Sequence, residues 1–236
     1  MKPSVLLCSS IGPGKEYSVP FLMAAIDAIT GIDAAHVVMD EVPHVSPFQA
    51  QRVDVVFKDF DDGGESTCIH GRLARNREYQ RKYFLRGNWT HLYWHDGDMM
   101  PPADIIERLL AHDTYIASGA YLMRGRTNPV QPMITRLYDP SQSIADDAAT
   151  DTLKMMDGCV WPIGYGQGCM LVNRETLEMV PYRVPQAYTE FGYGEDLQWC
   201  LDAITVSGRP TVDMTIPVWH VDSDGNGIRP NVQVAV

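Results

Sequence analysis

Asp96-Gly97-Asp98 closes the apolar run from Thr90 to His95 and stands directly before Met99-Met100-Pro101-Pro102. A buried strand ending there is expected to set both carboxylates on one side of the chain, because alternate strand residues point the same way. Two carboxylates so placed can share one hard divalent cation, and that cation can neutralise a departing diphosphate. Asp-x-Asp alone is common in turns and helix caps. Here Pro-Pro-Ala-Asp and the apolar positions Ile105, Ile106, Leu109 and Leu110 follow it as the start of an amphipathic helix. Strand, acidic turn and helix then succeed one another in the order an α/β ligand site requires.

Three further groups carry chemistry. Gly192-Tyr193-Gly194-Glu195-Asp196 precedes Leu197, Cys200, Leu201 and Ile204, spaced as one helix face, so the acids stand at a helix N-terminus. Capping and dipole compensation explain one acid; two glycines before two acids suggest backbone brought close to a ligand. Trp161 to Val172 has glycines at 164, 166 and 168 before an apolar strand. Those glycines permit close approach of a sugar or diphosphate, with Trp161 and Tyr165 available to stack on a sugar, although a ligand-free β-bulge accounts for them equally. His220, ending the run Val218-Trp219-His220, is a good third metal ligand as neutral imidazole. Asp222 to Gly227 matches half a calcium loop, but Arg229 and Gln233 stand where its later positions need other residues.

The elements that must position these groups read as one α/β domain. A chain of 236 residues, 45% apolar, buries a substantial core and fits one large unit over residues 1–236 better than two small ones. Val5 to Ser9 reads as a first buried strand, and the loop Ser9 to Gly14 lies where a nucleotide would sit. A helix is expected from about Ser18 to Ile29. Strands follow at His36 to Asp40 and Val53 to Phe57, so that Asp40 or Glu41 could reach a ribose hydroxyl or base. Gly71 to Arg86 reads as a helix stopped by Gly87-Asn88, and Tyr115 to Met123 as a strand. Residues 128–157 lack periodicity and suggest an excursion or flap.

The five cysteines are scattered without Cys-x-x-Cys spacing, which suggests neither a disulfide framework nor a zinc site and fits a reducing, cytoplasmic compartment. No segment approaches the roughly 20 apolar residues of a membrane span. A net charge of −11 opposes general attraction to nucleic acid or anionic lipid. Locally, Arg72, Arg75, Arg77, Arg81, Lys82 and Arg86 could face phosphates or form a solvated helix face.

The ordered set of a glycine loop, Ala74-Arg75-Asn76-Arg77, Asp96-Gly97-Asp98, a glycine strand, Gly194-Glu195-Asp196 and a late His220 resembles the GT-A fold glycosyltransferases. In spacing it looks closest to manganese-dependent inverting enzymes such as the β-1,4-galactosyltransferases. The resemblance implies a GT-A, Rossmann-like domain with a mixed, mostly parallel sheet flanked by helices. It implies Mn2+ (or Mg2+) held by Asp98 and His220, with Asp96 near the metal or the ribose, and Asp196 as general base; beside it, Glu195 is expected to bind acceptor or sugar hydroxyls. It also implies Arg75, Ser9, Asp40 and Gly166 around a nucleotide-sugar donor, a UDP-sugar being favoured, with a carbohydrate or other hydroxyl as acceptor. Retaining mannosyltransferases share much of the pattern, and residues 128–157 have no counterpart in it. Secondary readings are transfer to a modified base in DNA, a nucleotide-sugar binding module without catalysis, and a nucleotidyltransferase, for which only Lys15 supplies a base near the first loop.

Overall fold

Runs such as Val5-Leu6-Leu7-Cys8, apolar without alternation, belong to strands covered on both faces, and the computed structural model places them so. It describes residues 2–40, 53–58, 69–124, 130–132, 134–135, 158–160, 162, 164–183 and 194–227. β1 (Val5–Ile11) and β2 (Ala34–Asp40) are buried almost throughout and flank α1 (Val19–Ala28) in sequence. β3 (Val53–Lys58), α2 (Ile69–Arg86), β4 (His91–His95), β5 (Met99–Met100), α3 (Ile105–Leu110) and β6 (Ile116–Arg124) follow. Short strands β7 (Val130–Pro132), β8 (Ile134–Thr135), β9 (Cys159–Val160) and β10 (Gly164–Tyr165) lead to β11 (Cys169–Asn173), α4 (Arg174–Met179), α5 (Glu195–Ser207) and β12 (Thr211–His220).

Among the described residues these form a single α/β domain whose main sheet runs β3-β2-β1-β4-β11-β6-β12-β5. β3, β2, β1 and β4 are parallel, and so are β6 and β12. β11 enters antiparallel between β4 and β6, with Met170 opposite Trp94 on one side and Ser118 on the other. β1 has β2 on one flank and β4 on the other. The chain therefore reverses its direction of travel across the sheet at the carboxyl ends of β1 and β4, where open α/β sheets bind ligands. The loop after β1 and Asp96 to Asp98 after β4 both lie at that edge.

α2 packs across β1 and β2. Gln80, fully buried, donates from Nε2 to the Ser9 and His36 carbonyls. α5 lies beside α2 and α4, its buried face made of Leu197, Trp199, Cys200 and Ala203. Trp199 stacks on Tyr182 with ring centroids 5.2 Å apart, and Tyr182 meets Trp94 edge-on at 5.3 Å. The expected α5 face missed Trp199 and included Leu201 and Ile204, which are only partly buried.

Glu41, Trp161, Gly192 and Tyr193 lie outside the described residues, as do Arg229 and Gln233. So does nearly all of the expected excursion at 128–157, of which only β7 and β8 are described. Among the described residues no helix is long and apolar enough to cross a membrane.

Candidate functional site

Asp96, Gly97 and Asp98 form a turn and do not continue the strand. β4 ends at His95, and the Met99 amide donates to the Asp96 carbonyl at 3.0 Å. A turn, and not strand alternation, therefore sets the two carboxylates, which take different partners: Lys15, Tyr17 and His220 for Asp98 and Arg77 for Asp96. Gly97 allows this turn to press on the core: a Cβ there would lie 2.5 Å from Ile11 Cδ1 and 2.7 Å from Ser18 Oγ.

Asp98 turns toward the loop after β1. Its Oδ2 accepts from Lys15 Nζ at 2.6 Å and Tyr17 Oη at 3.0 Å, and lies 3.5 Å from His220 Nε2. Burial alone would raise the pKa of Asp98, but the hydrogen bond from His220 and the charge of Lys15 outweigh it and hold the carboxyl well below its usual range. His220 Nδ1 faces the Leu122 carbonyl at 3.2 Å. A carbonyl can only accept, so Nδ1 carries a proton and Nε2 is the atom presented to Asp98. With Asp98 accepting from Nε2 as well, the ring is drawn toward its protonated form: burial lowers its pKa, but the hydrogen bond and charge of Asp98 outweigh this and raise it. Loss of the Nε2 proton would leave the Nδ1–H tautomer, held by a backbone acceptor, that suits a metal-ligating histidine.

Asp98 and His220 fit two adjacent positions on a divalent cation. Bonds of about 2.1 Å at right angles put ligand atoms roughly 3 Å apart, against the 3.5 Å observed. Lys15 holds the same carboxylate oxygen, so a cation binding there must displace its ammonium or use Oδ1. Asp96 does not complete a trio with them: the three do not converge within 4.8 Å of one another.

Asp96 instead faces Arg77, whose Nη2 is 3.5 Å from Oδ1. Its carboxylate keeps 45% of its side-chain surface open, yet lies among enough protein that desolvation raises its pKa against the pull of Arg77. A Cβ on Gly168 would come within 2.9 Å of Asp96 Oδ2, so the glycine segment sets how far this carboxylate can lean inward. Gly166 is buried just before Gln167, whose Oε1 accepts from Arg77 at 2.8 Å and from Tyr182 at 2.8 Å.

Arg77 Nη1 also lies 3.1 Å from Glu195 Oε1, and His70 Nδ1 lies 2.8 Å from Glu195 Oε2. Burial would raise the Glu195 pKa, but Arg77 and His70 lower it, so the group is held as an anion. Its neighbour Asp196 goes the other way: burial, and then the charge of Glu195, push it up to about 6. Two adjacent carboxyls with oppositely shifted pKa values are the arrangement by which acid and base roles become separated. Glu195, expected to meet sugar hydroxyls, has both oxygens engaged by protein groups.

Other expected residues lie elsewhere on the same edge. Asp40 ends β2 and accepts at Oδ2 from Asn76 at 2.9 Å and from Arg72 at 3.4 Å, while Ser9 is held against α2 through Gln80. Arg77, two positions on from Arg75 and about 200° around the helix, is an arginine that meets both Asp96 and Glu195. Tyr165, expected to stack on a sugar, is 3% exposed in the core. Arg77 and Arg81 are buried and bonded within the protein, Arg81 to the Leu177 and Glu178 carbonyls and to Glu78. α2 therefore does not offer its basic residues as one phosphate-binding face.

Lys15, Tyr17, His70, Arg77 and Gln167 are site residues that sequence reasoning missed in these roles. A signal existed for Arg77: Ala74, Arg77, Arg81 and Phe84 follow i, i+3, i+7, i+10 and mark a buried stripe. Lys15 was legible as the base nearest the first loop. His70 reaches Glu195 across 125 positions, and nothing local announces that.

No protein-family model matches the chain, and no curated protein matches it in sequence. Its structure is similar to that of A197 from STIV, with a TM-score of 0.53 and 15% identity over 100% of this chain and 97% of that one. It is also similar to S. aureus TarS 1-349, with a TM-score of 0.50 and 12% identity over 89% of this chain. The chain spans 57% of that TarS fragment. At these identities the likeness is one of fold: a mixed, mostly parallel α/β sheet domain shared with both proteins.

Proposed function

We propose that this protein is a divalent-metal-dependent glycosyltransferase that moves a sugar from a nucleotide-diphosphate donor, a UDP-sugar being favoured, to an acceptor hydroxyl with inversion. The observation that carries the reading is the pairing, on one sheet edge, of Asp98 with His220 Nε2 at 3.5 Å and of an ionised Glu195 with an elevated Asp196. Binding alone has no use for the second pair. TarS, whose fold the chain shares, is a glycosyltransferase, in line with this reading.

In this mechanism Asp98 and His220 would hold Mn2+ or Mg2+, which would supply charge neutralisation for a departing diphosphate. Lys15, on the loop after β1 beside Asp98, would serve as a second cation for phosphate oxygens. Ser9 and Asp40 line the nucleoside end of the edge. Asp196 accepts the proton of the acceptor hydroxyl as that oxygen attacks the anomeric carbon. A pKa of about 6 leaves it ionised at neutral pH while keeping it basic enough to work. Glu195, clamped by Arg77 and His70, maintains that basicity by charge and does not itself take the proton. Burial of Arg77 and Arg81 counts against DNA as the acceptor.

Thermal stabilisation by UDP, GDP, dTDP and CMP, each with and without manganese, tests the proposal. One nucleotide should raise the melting temperature only with metal, the stabilisation approaching about 2.7 kcal/mol at a hundredfold excess over Kd. Asp98→Ala should abolish that shift, whereas Asp196→Asn should keep it and lose transfer. Equal donor affinity in Asp98→Ala and the parent would overturn the metal assignment.

A further inference from the structure

At the opposite end of β12 from His220, three ligand-type side chains converge. His112 lies in the turn after α3, Cys159 opens β9, and Asp213 is near the start of β12. His112 Nε2 is 3.0 Å from Asp213 Oδ2, and Cys159 Sγ is 3.9 Å from His112 Nδ1. One donor atom from each lies within 4.8 Å of the other two. Asp213 stands seven strand residues before His220, on the order of 20 Å away, so the cluster is separate from the carboxylate site.

We propose that His112, Cys159 and Asp213 form a zinc site that fastens the entry of the glycine segment to the sheet. Zinc bonds of about 2.0–2.3 Å in tetrahedral array put ligand atoms roughly 3.3–3.7 Å apart; one ligand atom from each of the three residues lies within 4.8 Å of the other two, so a small inward shift on metal binding would close the set around one imidazole nitrogen. The donor set is also selective. A thiolate with an imidazole and a carboxylate suits zinc, whereas Mg2+ and Mn2+ prefer oxygen ligands alone. One thiolate and one carboxylate balance the dication, with the imidazole neutral.

Asp213 is oriented for the task. Its Oδ1 accepts from the Thr215 amide at 2.8 Å and the Thr215 hydroxyl at 2.6 Å, leaving Oδ2 directed at His112. Groups that orient a ligand in this way are characteristic of metal sites.

The same triad of types could activate a cysteine nucleophile, but that chemistry requires a lowered thiol pKa. Burial, and then the charge of Asp213, push the Cys159 thiol up. A bound cation reverses that balance: the thiol proton leaves to solvent as the sulfur–metal bond forms. The site would join three elements, since Cys159 pairs with Asp213 across β9 and β12 while His112 closes α3. β9 precedes the 164–168 segment, which packs on Asp96 through Gly168 and holds Arg77 through Gln167, so the ion would steady that segment from a distance.

Cobalt(II) titration of the metal-stripped full chain tests this without any assay of activity. The parent should develop a thiolate-to-cobalt charge-transfer band saturating at one equivalent, and zinc should abolish the band by competition. The band should persist in Asp98→Ala and vanish in Cys159→Ser. Zinc affinity should fall in His112→Gln by more than the 10–100-fold typical when only a group supporting a ligand is lost. Cys8, Cys169 and Cys200 are buried elsewhere and Cys68 lies outside the described residues, so the titration is made in a Cys68→Ser background, where a band surviving in Cys159→Ser, or no band before that change, overturns the proposal.

Discussion

Burying a guanidinium forfeits several kcal/mol of hydration, and Arg77 recovers it through acceptors on three separate segments: Gln167, Glu195 and Asp96. Its charge also lies 5.9 Å from the centre of the Trp94 ring. Removing one partner of such a buried pair leaves the other uncompensated, whereas removing both can be nearly neutral. Arg77→Met should therefore lower unfolding free energy by about 3–5 kcal/mol. The double variant Arg77→Met/Glu195→Gln should recover most of that loss, both read by urea denaturation. If the two substitutions simply add, the Arg77–Glu195 contact is not what organises the cluster.

The acidic turn shows what an element adds beyond its residues. Gly97 lets the chain pass against Ile11 and Ser18, and a methyl there would overpack a well-filled junction, a change that costs about 1–3 kcal/mol. Gly97→Ala should be destabilised by that amount in thermal unfolding. Ile11→Val, which deletes the atom nearest the added methyl, should make the pair less unstable than the sum of the two single changes. Additive losses would show that the methyl is accommodated some other way. The elements themselves were largely legible: β1, β2, α2, β6 and α5 follow from apolar runs and helical spacing, which local physics dictates. The acidic turn at 96–98 follows from its place between strand and helix, but strand alternation does not carry past the end of β4, where the Met99 amide bonds back to Asp96. Asp98 and His220 were named from the sequence and do meet. The Lys15–Asp98 and His70–Glu195 pairs, by contrast, arise from contacts 83 and 125 positions apart, which side-chain type alone does not encode.

Across the whole molecule, the carboxylates divide by the sign of their shifts, and that division sets how stability changes with pH. Asp98, Glu195 and Asp213 have lowered pKa values despite burial, each held by hydrogen bonds or opposite charge. Their contribution is present above about pH 4 and is lost as pH falls through their folded values. Asp196 acts in the opposite sense. Raised to about 6 by burial and by Glu195, it binds its proton more tightly folded than unfolded. Its contribution is therefore full below about pH 4 and lost as pH rises from there through about 6, an amount on the order of 3 kcal/mol. His70 is also raised, chiefly by its hydrogen bond to Glu195, and adds a loss above its ordinary value near 6.5. Asp196→Asn should accordingly match the parent near pH 4 and be the more stable protein at pH 7, measured by denaturant unfolding across that range. The parent's transfer rate should rise with pH through about 6 as Asp196 ionises, while the Asn variant stays inactive throughout. Equal stability of the two proteins at pH 7 would mean that Asp196 is not held under this strain. With no excess basicity stored in the fold, proton removal from the acceptor would have to be assigned to another group.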